Sequence, residues 1–502
     1  MKNIKLLLTI GLILFPVSVG AQTMGDYQCF PIFTTSVVTP NIMILLDNSG
    51  SMNFMAYGYD ADGYYNPDDF DPNVSYYGYF NPDAKYTYAI SNEFDMDPAG
   101  DWDGSFLNWL SMRRVDLARK VLVGGLATSR TGGGNQKLYG ETPAQSSRKY
   151  LKFYSNSAAY TPAAYGNDCI FKITRGDIEV YRIDTPANFD YTGDYKMYCN
   201  ANDGHDAYFE DVYIDYDGAN YEVYPRSGDH GGCDRDKYTA ISLTGLTYVD
   251  NYQIKVDKEE AEDPDIFLDG NIVGILDRIV NKESARFGLA QFNNDGAAFE
   301  TGFNQDGGFI SSPITRKLKD DEIEKDLVTD VQNTSCSTWT PLAETFNVIA
   351  HYYRQDFDPY PGGSNFTIND QHDPLNYEKY GGKIECGKNF VLILTDGEST
   401  MDNNIPAEYQ DYDQDGNDPP GTAANNYGSD YLDDLALWAH TNDMRPDDIV
   451  DDQNIITYVV FAFGSGSQLL QDTAKNGGFI DRDGDNKPDT VGNARGGEWS
   501  DL

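Results

Sequence analysis

Four short, nearly unbroken apolar runs organise the chain: Asn41–Leu46 (NIMILL), Arg286–Phe292 (RFGLAQF), Asn389–Thr395 (NFVLILT) and 454–464 (NIITYVVFAFG). Runs of this length without polar alternation read as strands buried on both faces. Segments with helical spacing lie between them. Residues 106–127 place Phe106, Leu110, Leu117, Val121 and Leu122 at helical intervals, and Gly124-Gly125 supplies a stop. Residues 266–281, 341–353 and Tyr431–Thr441 read as further helices. Doubly buried strands alternating with helices predict an α/β fold built on a doubly wound, mainly parallel sheet. In such folds ligands bind beyond the C-terminal strand ends, where the strand order reverses.

Two stretches break this rhythm. Residues 52–103 are rich in Tyr, Asn, Pro and Asp with little helical period, and 131–262 alternate short strand-like pieces with Gly and Asp turns. The expected organisation is a first part of the α/β domain at 22–130 carrying the 52–103 insertion, a β-rich inserted module at 131–262, and the remainder of the domain at 263–502. Ahead of these, Lys2 and Lys5 precede an apolar run at 6–15 and the small residues Val19-Gly20-Ala21. That is the layout of a cleavable secretory signal over 1–21. The run is shorter than the roughly 20 apolar residues a spanning helix needs, and no later segment reaches that length. Export to the cell surface or beyond is the expectation, with no transmembrane helix.

Charge sharpens this picture. The 502 residues carry 80 Asp and Glu against 37 Lys and Arg, a formal net charge of -43. Such a chain repels phosphate backbones, which argues against nucleic-acid binding. The 37 Tyr and 13% aromatic content argue against disorder. Carboxylate self-repulsion is the kind of strain that bound cations relieve. The six cysteines, Cys29, Cys169, Cys199, Cys233, Cys336 and Cys386, include no CxxC pair. Zinc ribbons and thioredoxin-like sites are therefore disfavoured, and disulfides in an exported chain are expected. Cys336 with Cys386, and two of the middle three, are the pairings anticipated.

The candidate chemistry starts where the first apolar run ends. Asp47-Asn48-Ser49-Gly50-Ser51 offers one carboxylate and two hydroxyls to a single point, oxygen ligands that suit Mg²⁺ or Mn²⁺. Alone, D-x-S-x-S also makes a helix N-cap turn. Two more oxygen donors recur at equivalent places: Thr340, before the helix that opens Pro341-Leu342, and Asp396, at the end of NFVLILT in Thr395-Asp396-Gly397. In this combination the sequence resembles the von Willebrand factor A family and its metal-ion-dependent adhesion site. The resemblance implies that Ser49, Ser51 and Thr340 ligate the ion directly, and that Asp47 and Asp396 do so directly or through water. It also implies an open coordination position that accepts a carboxylate from a partner. No nucleophile with an adjacent base is visible, and none of the five histidines forms an HxxxH pair, so the chain does not read as an enzyme.

A narrower resemblance rests on YYGYFNPDAKYTY (76–88), FLNWLSMRRVDLARKVLVGG (106–125), CGKNFVLILTDGE (386–398) and DYLDDLALWAHTNDMR (430–445). These stretches resemble the PilY-type proteins associated with type IV pilus tips; residues 131–262 carry no such likeness. The resemblance implies a secreted or outer-surface protein that supports pilus biogenesis, counteracts retraction, adheres to surfaces and has minor pilins as partners. Members usually continue into a C-terminal β-propeller, and residue 502 falls before the expected last helix of the A domain. A purely structural assembly role, with the ion as a folding staple, is the rival expectation.

Further carboxylate patterns suggest Ca²⁺. Asp481, Asp483, Asp485 and Asp489 occupy positions 1, 3, 5 and 9 of an EF-hand-like loop, with the Lys487 carbonyl at position 7. The loop departs from that pattern at Asn486 and Gly492, although Asn tolerates a left-handed turn. Asp411, Asp413 and Asp415 form a weaker version. Arg175-Gly176-Asp177 is a tripeptide that integrin-type receptors read; between FKIT and IEVYRI it reads first as a hairpin turn.

Overall fold

The computed structural model describes residues 38–58, 69–130, 136–143, 150–184, 246–259, 263–280, 284–293, 307–314, 321–360, 364–385, 387–414, 416, 427–463, 466–481 and 484–488, with short strand pieces at 197–198, 206–207, 212–216, 221–225 and 241–243. Strands in chain order are β1 (Asn41–Leu46), β2 (Lys85–Tyr88), β3 (Phe94–Met96), β4 (Trp102–Asp103), β5 (Gln136–Tyr139), β6 (Tyr150–Tyr154), β7 (Cys169–Thr174), β8 (Asp177–Ile183), β9 (Leu246–Gln253), β10 (Lys255–Lys258), β11 (Arg286–Phe292), β12 (Gly308–Ser312), β13 (Asn389–Thr395) and β14 (Ile455–Phe461). The helices used below are α1 (Gly104–Ser111), α2 (Arg114–Val123), α3 (Ile275–Val280), α4 (Asp321–Gln332), α5 (Leu342–Arg354), α6 (Tyr431–Thr441) and α7 (Gln468–Asn476).

The four apolar runs assemble into one sheet of order β12-β11-β1-β13-β14. β1 pairs in parallel with β11 (Asn41 opposite Arg286) and with β13 (Asn41 opposite Asn389), and β13 pairs in parallel with β14. Only the edge strand β12 is antiparallel. Side chains leave β1 alternately. Met43 and Leu45 enter a core shared with α5, α6 and α7, while Ile44 and Leu46 enter another lined by α2, α3 and α4. Helices thus cover both faces, which is why the strands carry apolar residues in both registers. The order reverses between β1 and β13, so the two loops at their C-terminal ends border one crevice.

A second, aromatic core lies beside this sheet. One antiparallel sheet runs β9-β8-β7-β6, and a mixed one runs β4-β2-β3-β10-β5. Phe70 is its hub: it stacks on Tyr76 and meets Phe106, Tyr154 and Tyr160 edge-on at ring distances of 5.0 Å. The 52–103 stretch, expected to be irregular, contributes β2, β3 and β4 to this core.

Two sequence expectations need correction. The helix expected over 106–127 is two helices. Met112 and Arg113 take extended ψ values of 133° and 160°, and Gly124 ends α2 at φ 84° as the glycine pair required. The helix expected over 266–281 begins only at Ile275; Phe267–Leu268 and Asn271–Ile272 instead form a hairpin through Asp269-Gly270. Both turn residues have positive φ, 52° and 80°, the geometry for which Asp-Gly is suited. Cys169 and Cys336 are buried free thiols in this structure, so the Cys336 bridge to Cys386 is not formed here. Cys29, Cys199, Cys233 and Cys386 lie outside the described residues.

Candidate metal centre

The β1/β13 reversal brings together Asp47, Ser49, Ser51 and Asp396 from the residues picked in sequence. The ladder from β1 continues one step past its end, where Asp47 N donates to Leu394 O at 2.9 Å. That leaves the Asp47 side chain at the carboxyl end of the sheet, fully buried. Its Oδ1 accepts from Ser49 N at 2.7 Å, an Asx turn that folds the DNSGS segment back. Its Oδ2 accepts from Thr395 Oγ1 at 2.6 Å. Ser49 Oγ and Ser51 Oγ lie 2.8 Å apart, and Ser51 Oγ donates to Asp396 Oδ1 at 2.8 Å. Two segments 345 residues apart thus share one hydrogen-bonded cluster.

Neighbouring strands fix the loop that carries these groups. Asn48 clasps the end of β11: its Oδ1 accepts from Phe292 N, and its Nδ2 donates to Phe292 O. Ser49 makes an isolated parallel bridge with Thr338, and Gly50 N donates to Thr338 O at 2.9 Å. The chain reaches Thr340 two residues later. Thr340 N donates to Thr400 Oγ1 at 2.8 Å, and Thr400 N returns a bond to Thr340 O at 3.0 Å. Thr340 is therefore tied by its backbone to the loop that follows Asp396. The side-chain cluster itself joins Asp47, Ser49, Ser51 and Asp396, and Thr340 stands beside it through these backbone ties.

Several residues of the site escaped sequence reasoning. Thr395, visible in the T-D-G signature, orients Asp47. Asp402 caps α5 from outside the helix, accepting from Ala343 N and Glu344 N at 2.9 and 2.8 Å and from Ser399 Oγ at 2.6 Å. Glu344 accepts in turn from Gly307 N and Asn404 N. Arg114, the first residue of α2, donates through Nη1 to Asp396 Oδ2 at 2.8 Å. No local pattern marks Arg114, because its partner lies 282 residues away.

Burial governs the electrostatics. It pushes the Asp47 carboxyl up to about 7, with the neighbouring Asp396 charge adding to the shift and hydrogen bonds from Ser49 and Thr395 opposing it. Burial likewise raises Asp402 to about 7. A carboxyl as buried as that of Asp47 is relieved either by a proton or by a nearby cation. The Asp47 and Asp396 carboxylates and the Ser49 and Ser51 hydroxyls are hard oxygen donors of the kind that could hold Mg²⁺ or Mn²⁺. Among the described residues, no three His, Cys, Asp or Glu side chains form a metal-ligand group. The site combines two acids with hydroxyls instead.

The calcium-like loops are only partly described. Asp481 uses its carboxylate to cap Gly484 N at 2.7 Å and Asn486 N at 3.1 Å, and Asp485 accepts from Lys487 N. Asn486 has φ 60°, the left-handed turn its position requires. Asp483 and Asp489 lie outside the described residues. In the weaker loop Asp411 accepts from Gly416 N and Asp413 from Asn476 Nδ2, while Asp415 lies outside the described residues. The Arg175-Gly176 pair makes the two-residue turn between β7 and β8. Gly176 is buried there, its carbonyl accepts from Ile254 N at 2.7 Å, and Asp177 is already part of β8. The tripeptide is a packed hairpin turn.

Residues 67–190 match a family described as "PilY1 homolog, small alpha/beta domain". The chain therefore carries a PilY1-related domain, comprising α1, α2 and β2 to β8. The match runs past residue 130, so the likeness extends into a stretch where the quoted sequence motifs found none. No curated protein and no solved structure matches the chain. Among the described residues no helix is long and apolar enough to cross a membrane.

Proposed function

We propose that this chain is an exported, metal-dependent adhesion or biogenesis factor of the type IV pilus system. It binds an acidic group of a partner through a divalent ion held by Asp47, Ser49, Ser51, Thr340 and Asp396. The observation that carries the reading is the Ser51–Asp396 hydrogen bond at the strand-order reversal, within the cluster that Asp47 and Ser49 complete. Hydroxyl ligands leave such an ion more electrophilic than a full carboxylate cage does, so a partner carboxylate is a strong remaining ligand. The PilY1-related domain at 67–190 supports the pilus association, with minor pilins as the expected neighbours. On this reading the acidic loops at 481–489 and 411–415 take Ca²⁺, and a signal segment at 1–21 directs export.

Mn²⁺ titration of the full chain by calorimetry tests the metal reading. Asp47→Ala is expected to abolish Mn²⁺ binding while the far-ultraviolet circular dichroism spectrum is kept. A variant that binds Mn²⁺ like the wild type removes the site from consideration. A Ser49→Ala strain then separates the two pilus roles: adhesion lost with pilus number unchanged favours the adhesin, and a fall in pilus number favours assembly.

A further inference from the structure

Arg114 is the feature that the proposed site does not require. Its guanidinium reaches Asp396 Oδ2 at 2.8 Å, and both side chains are withdrawn from solvent, at 8% and 0% exposure. Ser51 occupies the other oxygen of Asp396. Two rings flank the cation: Phe54, just beyond the DNSGS turn, lies 5.4 Å from its centre, and Phe463, beyond β14, lies 5.6 Å away. Phe463 holds φ 72°, a backbone conformation that bulky residues rarely adopt, and its ring packs against the aromatic core. Arg114 opens α2, a helix of the matched domain, and Val115, Ala118, Leu122 and Val123 of that helix pack under the main sheet. A rigid, permanently charged group is thus delivered from one region onto a carboxylate of the other.

We infer that Arg114 is a resident counter-ion of the crevice: it neutralises Asp396 in the metal-free protein, keeps the crevice assembled, and sets a ceiling on divalent-ion affinity. The inference rests on the metal reading above. Two cations held by one carboxylate repel each other, and in a buried crevice that repulsion is weakly screened. Metal loading must therefore weaken the grip of Asp396 on Arg114, which couples the ion to α2 and the PilY1-related domain. Arg114 acts through Asp396 and is a positioning residue.

The test compares wild type, Arg114→Gln, Arg114→Lys and Asp47→Ala as full chains, measuring melting temperature with and without Mn²⁺ and the Mn²⁺ Kd by calorimetry. Arg114→Gln is expected to melt lower than wild type without metal, to recover most of the deficit in saturating Mn²⁺, and to bind Mn²⁺ at least about tenfold more tightly. Arg114→Lys keeps the charge and is expected to stay within about threefold of the wild-type Kd. Should Arg114→Gln fail to fold without metal, refolding in Mn²⁺ supports the inference and failure to refold overturns it. An equal deficit with and without Mn²⁺, at unchanged Kd, overturns the counter-ion role and leaves the metal site standing. Absence of Mn²⁺ binding in all four proteins overturns both.

Discussion

The sheet region and the aromatic region solve the same problem, burying a face, with different side chains and different chain distances. In the sheet, β1 joins neighbours 245 and 348 residues away in sequence, and its cores are largely aliphatic. In the aromatic region neighbouring strands are mostly close in sequence, such as β7 and β8, and the core is built of rings. Parallel strands from remote segments bring their carboxyl ends to one edge, so remote loops meet there and can pool polar chemistry. Aromatic rings instead offer large apolar area with polar tips, and the tips lock local loops: Trp109 Nε1 donates to Asp69 Oδ1, and Tyr57 OH donates to Tyr77 O. The first arrangement assembles a site; the second makes a rigid support.

α2 belongs to both regions. Leu117 faces the aromatic core, while Val115, Ala118, Leu122 and Val123 face the sheet. Its polar residues are buried yet paired. Asp116 accepts from Arg113 N and Glu141 N, Arg119 reaches Glu141 and the Thr334 carbonyl, and Lys120 donates to Gly78 O. Burial of these charged groups is tolerable only with such partners.

The comparison can be broken most forcefully through the rings. Trp109→Ala is expected to cost about 4 kcal/mol. Because α2 ties the two cores together, the loss should appear as one shifted transition, coincident by fluorescence and circular dichroism in urea. A separate early transition would show that the regions fold independently.

Next in size is the cap that ties α5 to the crevice. Asp402→Ala leaves two helix N–H groups and a serine hydroxyl without their acceptor, and about 3 kcal/mol of stability should be lost in denaturant titration. The same carboxyl carries a pH signature. Burial raises its folded pKa from the ordinary 3.8 to about 7, so between these values the folded chain holds the proton that the unfolded chain has released. Stability of the metal-free protein from this group is therefore full below about 4 and declines as pH rises towards 7. Asp47 contributes with the same sign. Melting temperatures across that window should fall less steeply in Asp402→Asn, and an unchanged slope would place the titration elsewhere.

The smallest effect sharpens the seam between the regions. At Gly124, φ is 84°, and an added Cβ would sit 2.7 Å from Ile272 Cγ2 and 2.8 Å from Val273 O. Gly124→Ala should cost about 2 kcal/mol by thermal melting, since backbone strain and crowding both oppose it. A loss below a few tenths would mean that the α2 end and the 267–272 hairpin separate easily.

Much of the sheet was legible in sequence because its signal is local. NIMILL, RFGLAQF, NFVLILT and most of 454–464 are strands, and Tyr431–Thr441 is a helix, since unbroken apolar runs and 3.6-residue spacing survive without tertiary context. The 106–127 and 266–281 segments carry helical apolar spacing that outweighs weaker cues: the extended Met112-Arg113 link has no sequence mark, and the Asp269-Gly270 turn signal is short beside it. Among the site groups, Asp47, Ser49, Ser51, Thr340 and Asp396 were nameable because strand ends announce themselves. Arg114, Thr400 and Asp402 were not. Composition and local pattern determined which segments would be strands and which oxygen donors would stand at their ends. Only tertiary structure decided that Asp396 faces both Ser51 and Arg114, because a charge pair across 282 residues depends on how two cores dock and not on any period along the chain.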